Sequence, residues 1–168
     1  MVMTTEREIV SIGMGEIKVS KQQPITMSCI GLGSCIGFCA YDPVANVGGM
    51  AHMVLPENSR SNGGPGYAKY VNTGIPLMFT ELEKLGASKS RLKVTLSGGA
   101  RMFNIPGLSS TLDVGARNVD MALKVLASEG IRSYASDIGG HQGRTMSLFM
   151  DTGQVFVRTV GQGNIELK

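Results

Sequence analysis

The chain reads as an α+β domain, built mainly of short strands with two helices. Three observations predict this. Segments rich in β-branched and alternating apolar residues outnumber helical ones and do not interleave with them as βαβ units would. Only two stretches place apolar residues at the spacing of an amphipathic helix. Glycine supplies 23 of 168 residues, about twice its usual share, and clusters beside the strand-like segments where tight turns are needed. The length suits one domain, with residues 1–8 polar enough to fray and 9–168 folding as a unit.

Taken in order, Glu8–Val10, Ile17–Ser20 and Ile25–Ile30 read as short strands. Cys35–Tyr41 and Val47–Leu55 follow as a hairpin around the turn Asp42-Pro43-Val44-Ala45. Beyond the polar, glycine-rich stretch Glu57–Gly66, a helix runs to Leu85 with Met78, Leu82 and Leu85 on one face. Pro76 belongs to its first turn or to a kink, and Gly86 stops it. Strand Leu92–Leu96 runs into Gly98-Gly99. The second helix spans Gly115–Ser128, capped by Asp113 and ended by Gly130, with Val119, Ala122, Leu123 and Leu126 at helical spacing. Three strands close the chain, Ile131–Ser136, Thr145–Met150 and Gln154–Val160, the last two joined by the three-residue loop Asp151-Thr152-Gly153.

Composition narrows the function classes. Lys plus Arg number 16 against 13 acidic residues, without a run of like charge, and aromatics make up 5% with no Trp, which speaks against nucleic acid as a partner. No stretch of about 18 apolar residues occurs, and the N-terminal residues lack a signal-peptide pattern, so a cytoplasmic protein without membrane insertion is expected. Three cysteines, Cys29, Cys35 and Cys39, are an odd number in a reducing compartment and do not suggest a disulfide framework.

Gly31-Leu-Gly33-Ser34-Cys35 superficially resembles a phosphate loop, but the following Ile36–Tyr41 is strand-like where a phosphate motif needs a helix N-terminus. No nucleotide or other cofactor is therefore expected. What remains is a cysteine at the head of a strand, after small residues that allow close approach to its sulfur. A four-residue loop Asp42–Ala45 pairs Tyr41 with Asn46 and, counting back along both strands, Cys35 with His52 on the same face. An imidazole at that spacing can take the proton of a thiol that is only a few per cent ionised at pH 7, and the amides of Ser34 and Cys35 can serve as oxyanion donors. The alternatives are a buried structural cysteine facing a hydrogen-bonded histidine, and zinc held by Cys29, Cys35, Cys39 and His52. Zinc is disfavoured because Cys35 and Cys39 on one strand stand about 13 Å apart at roughly 3.3 Å per residue. Cys39 reads as core, His141 as a loop residue, and the 11 scattered methionines as core filling.

The chain also resembles a known family over nearly its whole length. The residues that carry the likeness are Gly31-Leu-Gly-Ser-Cys35, Tyr41-Asp42-Pro43, Gly48-Gly49-Met50-Ala51-His52 with Leu55-Pro56, and Ala68 through Pro76. It continues at Gly98-Gly99-Ala100, Gly115 with Arg117-Asn118, and Asp137-Ile138-Gly139-Gly140 with Gly143-Arg144. So many motifs in order resemble the CheD family of chemoreceptor glutamine deamidases. The resemblance implies an α/β/β-layered sandwich similar to cysteine deamidase toxins. It implies hydrolysis of glutamine side-chain amides on methyl-accepting chemotaxis receptors to glutamate, with release of ammonia, by a cysteine and a histidine at positions matched by Cys35 and His52. It also implies a CheC-type phosphatase as partner. The family commonly has threonine six residues before the nucleophile as third member of the site, where this chain has Cys29. His52 is then oriented either by Cys29 or by a backbone carbonyl near it. The alternative function is a mainly non-catalytic adaptor that binds receptors and the phosphatase.

Overall fold

Apolar alternation resolves into ten strands and two α-helices among the residues that the computed structural model describes, 6–58, 67–103, 106 and 113–168. The strands are β1 (Glu8–Ser11), β2 (Ile17–Ser20), β3 (Ile25–Leu32), β4 (Ile36–Asp42) and β5 (Val47–Met53), then β6 (Lys93–Gly98), β7 (Ala135–Ile138), β8 (Arg144–Phe149), β9 (Gln154–Thr159) and β10 (Asn164–Leu167). Helix α1 spans Val71–Lys84 and α2 spans Val114–Ser128.

The strands form two sheets, ordered β1-β3-β8-β9-β10 and β2-β5-β4-β6-β7. Only β1 with β3 and β6 with β7 pair in parallel. The sheets stack through Met27, Cys29, Met146 and Leu148 of the first against Cys39, Tyr41 and Met50 of the second. The other face of the second sheet, with Phe38, Ala51 and Leu96, is covered by Ile75, Met78 and Leu82 of α1 and by Ala122 and Leu126 of α2. Phe38 meets Phe79 of α1 edge-on, with ring centroids 5.8 Å apart. The result is an α+β sandwich in three layers, α/β/β, as expected.

Several elements differ in detail from expectation. Pro76 lies inside α1, where it cannot donate to the carbonyl four residues back, and the helix is held by its buried face instead. Asp113 does cap α2, accepting from Ala116 N at 3.0 Å. The strand expected at Ile131–Ser136 is displaced to Ala135–Ile138, because pairing with β6 sets Ser97 beside Asp137. The β8–β9 connection has four residues, since Phe149 pairs with Gln154. Strand β10 was not expected: it is short, half polar and hydrogen-bonded at the edge of β9. Arg7 and Glu8, expected to fray, are placed: Glu8 opens β1, and Arg7 pairs with Asp151 at 2.6 Å.

The hairpin register is the main correction. Asp42 pairs with Val47, so the loop is Pro43–Asn46 and Tyr41 stands beside Gly48, not Asn46. The cause is Asp42 itself. Its carboxylate accepts from the amides of Val44 (2.9 Å) and Ala45 (3.1 Å), closing the loop one residue later than a simple type I turn would. Asn46 then adopts φ 53°, a left-handed conformation that asparagine tolerates.

Burial alone would raise the Asp42 carboxyl, but hydrogen bonds from Arg91, Ser88, Ala45 and Val44 hold it well below the usual carboxylate range. A carboxylate with a lowered folded value contributes stability above its unfolded value of about 4, and that contribution disappears as pH falls through the folded value. Asp42→Ala should therefore lower unfolding free energy by about 2–3 kcal/mol at pH 7, with the difference from the parent narrowing in acid, as urea titrations at several pH values will show.

Candidate active site

The chain crosses from one sheet to the other at a three-residue bend, Gly33-Ser34-Cys35. An irregularity in the β3–β8 register between Cys29 and Leu32, with Gly31 at φ 73°, turns the strand out of the first sheet, and Ile36 begins β4 in the second. Donors from the helical side of the second sheet hold the carbonyls of this bend. Gly33 O accepts from Ala100 N at 2.9 Å, Ser34 O from Asn118 Nδ2 at 2.8 Å, and Cys35 O from Gly99 N at 2.9 Å. A trans peptide points its N–H opposite to its C=O, so the Ser34 and Cys35 amides face away from these donors. The approach is close enough to demand glycine at 98. A Cβ there would stand 2.1 Å from the Cys35 carbonyl oxygen, and the residue has φ 102°.

His52 lies on β5 opposite Gly37 of β4, so Cys35 is its diagonal neighbour, not its direct partner. The register expected from sequence is off by two residues, which preserves the face. Cys35 still belongs to the layer between the sheets, with Leu32, Met50 and Met146. Gly37 packs closely here, since a Cβ would come within 2.7 Å of Leu32 Cδ1 and displace that side chain.

The imidazole is buried, and its Nδ1 lies 3.0 Å from Ile12 O. A carbonyl can only accept, so Nδ1 carries the proton and Nε2 is the basic nitrogen of the neutral ring. Nε2 is buried and has no hydrogen-bond partner among the described residues. The segment between β1 and β2 fixes the backbone of this strand, with His52 N donating to Glu16 O at 3.0 Å and Gly15 N donating to His52 O at 2.7 Å.

The three thiols are free and differ in access. Cys29 and Cys39 are 0% exposed, while Cys35 retains 8%. Burial, and secondarily the nearby Cys35, pushes the Cys29 thiol up to about 12. Burial pushes the Cys39 thiol up as well. Burial also raises Cys35, but its own backbone amide works in the opposite direction. Cys29 Sγ donates to Ala51 O at 3.7 Å, so of the two expected ways of orienting His52 the observed hydrogen bond is to a carbonyl, that of Ile12. Thr26 and Ser28 point to the other face of β3, as their alternation with Met27 and Cys29 requires.

His141 sits in an exposed loop with Nδ1 3.1 Å from Arg101 O. Gly33 packs beside the exposed Met102, where a Cβ would meet Met102 Cγ at 3.0 Å, and Phe103 follows at 77% exposure. Among the described residues no group of three His, Cys, Asp or Glu side chains is placed to hold a metal ion, and no helix is long and apolar enough to cross a membrane. Two site features were not expected from sequence. The Ile12 carbonyl leaves no side-chain signal, and Asn118, seen only as part of a motif, reaches the bend through the packing of α2.

Residues 54–159 match the family model described as CheD chemotactic sensory transduction. A relative from Symbiobacterium thermophilum, named "Probable chemoreceptor glutamine deamidase CheD", is 44% identical over 97% of this chain and 99% of its own length. A relative of the same name from Pyrococcus abyssi is 47% identical over 95% of this chain and 96% of its own. The chain belongs to the CheD family. These alignments span nearly the whole chain, whereas the family model begins just after His52.

The unequal burial of the thiols of this CheD family member predicts selective chemistry. Limited iodoacetamide treatment of the native protein should label Cys35 first, with a rate that climbs as pH rises through and beyond the ordinary thiol range of about 8.5. Peptide mapping by mass spectrometry reads both. Equal labelling of all three cysteines would contradict the burial.

Proposed function

We propose that this protein hydrolyses glutamine side-chain amides of methyl-accepting chemotaxis receptors to glutamate, with Cys35 as nucleophile and His52 as general base and acid. The observation that carries the reading is a buried imidazole whose Nδ1 is tied to Ile12 O while Nε2 is unpartnered, in the layer that holds the most accessible thiol. The family relatives' shared name supplies the substrate class.

In this mechanism Nε2 of His52 takes the Cys35 proton as Sγ attacks the amide carbon. A thiol raised by burial is largely protonated before substrate arrives, so a base beside it is required. The tetrahedral oxyanion accepts from the amides of Ser34 and Cys35. Collapse breaks the C–N bond, and the imidazolium gives its proton to the departing ammonia, leaving a thioester. Water, losing a proton to Nε2, then attacks the thioester, and release of glutamate returns the proton to the thiol. The Ile12 carbonyl holds the tautomer throughout, in keeping with the carbonyl of the two alternatives the sequence offered, Cys29 or a backbone carbonyl near it.

The exposed Met102 and Phe103 beside the bend offer apolar contact to a protein substrate, which must be gripped well beyond one side chain. The Gly139–Gly143 loop is the second proposed part of the rim. A CheC-type phosphatase as partner and a cytoplasmic location belong to the same proposal.

Cys35→Ala and His52→Ala should each cut deamidation of a receptor cytoplasmic fragment by about a thousandfold or more, and the double variant should be scarcely worse, because the two act as a unit. The readout is the shift of about one dalton per glutamine converted, a mass difference set by replacing NH₂ with OH. Retained turnover in a folded Cys35→Ala protein would sink the mechanism. Cys29→Ala should change kcat by less than about threefold, whereas a Cys29 that orients His52 would cost about tenfold, equivalent to 1.4 kcal/mol.

A further inference from the structure

Asn118 projects from the second turn of α2 and is 0% exposed. Its Nδ2 donates to two carbonyls, Ser34 O at 2.8 Å and Val54 O at 3.0 Å. Both partners are pure acceptors, so the amide nitrogen must face them, and Oδ1 is left buried with no partner among the described residues. An apolar side chain in the same place would leave the Ser34 and Val54 carbonyls without this donor, so the amide is there for the carbonyls it reaches. The two carbonyls it reaches are informative. Ser34 C=O belongs to the same peptide unit as the Cys35 N–H, and Val54 lies two residues beyond His52 in the chain.

We infer that Asn118 is a positioning residue for the hydrolysis, holding the Ser34–Cys35 peptide so that the Cys35 N–H faces the reacting carbonyl oxygen. The inference rests on the Cys35–His52 mechanism proposed above. A planar trans peptide cannot turn its N–H without turning its C=O, so a donor fixed on the carbonyl fixes the amide. Gly33 and Ser34 are small and half-buried, and offer little steric resistance to rotation of that peptide. The Cys35 amide also works against the effect of burial on its own thiol. By also holding Val54 O, one primary amide ties the end of the base's strand to the peptide before the nucleophile.

The placement of α2 serves this contact. A Cβ at Gly115, one turn before Asn118, would stand 2.4 Å from Ala100 O and 2.8 Å from Gly99 O. Glycine there lets the helix lie directly on the turn that holds Cys35 O and Gly33 O.

The test separates positioning from general support. Haloacetamide alkylation is a direct displacement at carbon with no tetrahedral oxyanion, so it reports on the thiol and its base but not on the amide. Asn118→Asp, which keeps the shape and loses the donor, should lower kcat on the receptor fragment about a hundredfold, the usual effect of a lost or misplaced oxyanion donor. KM and the rate of Cys35 alkylation should each stay within about threefold of the parent, a pattern that marks an interaction made only in the transition state. Should Asn118→Asp not fold, Asn118→Ser, which removes the same donor without adding charge, is measured in its place with the same expectation. Unchanged kcat in a folded variant, with Cys35→Ala inactive in parallel, would overturn the role of Asn118 alone. Loss of turnover and alkylation in equal measure would overturn it too, by showing a merely structural residue. Full turnover by Cys35→Ala would instead overturn the underlying mechanism, and this inference with it.

Discussion

The contact on which the site depends is the backbone-to-backbone approach of the Gly98-Gly99-Ala100 turn to the bend at Cys35. The chain must cross from one sheet to the other there, and a crossing segment has no ladder of its own to satisfy its carbonyls. Two amides of the turn take the carbonyls of Gly33 and Cys35, and a side-chain amide of α2 takes the one between. Each of these bonds requires a missing side chain nearby. Gly98 permits the turn to reach Cys35 O, and Gly115 permits α2 to reach the turn. The glycine excess of the sequence is thus partly a record of close approach, not only of tight turns.

Burial sets the chemistry available at this bend. The layer between the sheets is lined by Leu32, Met50 and Met146, and burial disfavours a preformed thiolate at Cys35. Leaving His52 Nε2 without a partner costs on the order of 1–3 kcal/mol in a folded protein, which the rest of the core must offset. A protein donor on Nε2 would occupy the lone pair that a base needs. An unsatisfied nitrogen in a well-packed interior is therefore more informative about function than the burial of the ring itself.

The α+β class, both helices and most of the strands were legible in the sequence because each rests on local periodicity or on a capping or stopping residue, such as Asp113 and Gly130. The pairing of Cys35 with His52 was legible only in parity. The hairpin loop begins one residue later than its sequence suggests, because Asp42 spends its carboxylate on the loop amides and on Arg91, a partner far along the chain. A slip of two residues changes the distance between side chains but not the face, so the conclusion that they share a layer survives while direct opposition does not. The Ile12 carbonyl could not have been read at all, since every residue carries one. Strand β10 has too few apolar residues to announce itself.

Asn118 shows a different limit. An asparagine within an amphipathic helix looks like a tolerated polar residue until the helix is placed. Its position at one helical turn from Gly115 is a local fact, but the two carbonyls it joins are 84 and 64 residues away in sequence. The glycine allows contact between helix and turn, and the asparagine uses that contact to reach the bend. Neither residue has a reason in isolation. This interdependence ties the layers together: the two sheets enclose Cys35 and His52, and the helical layer supplies the donor that holds the Ser34 carbonyl.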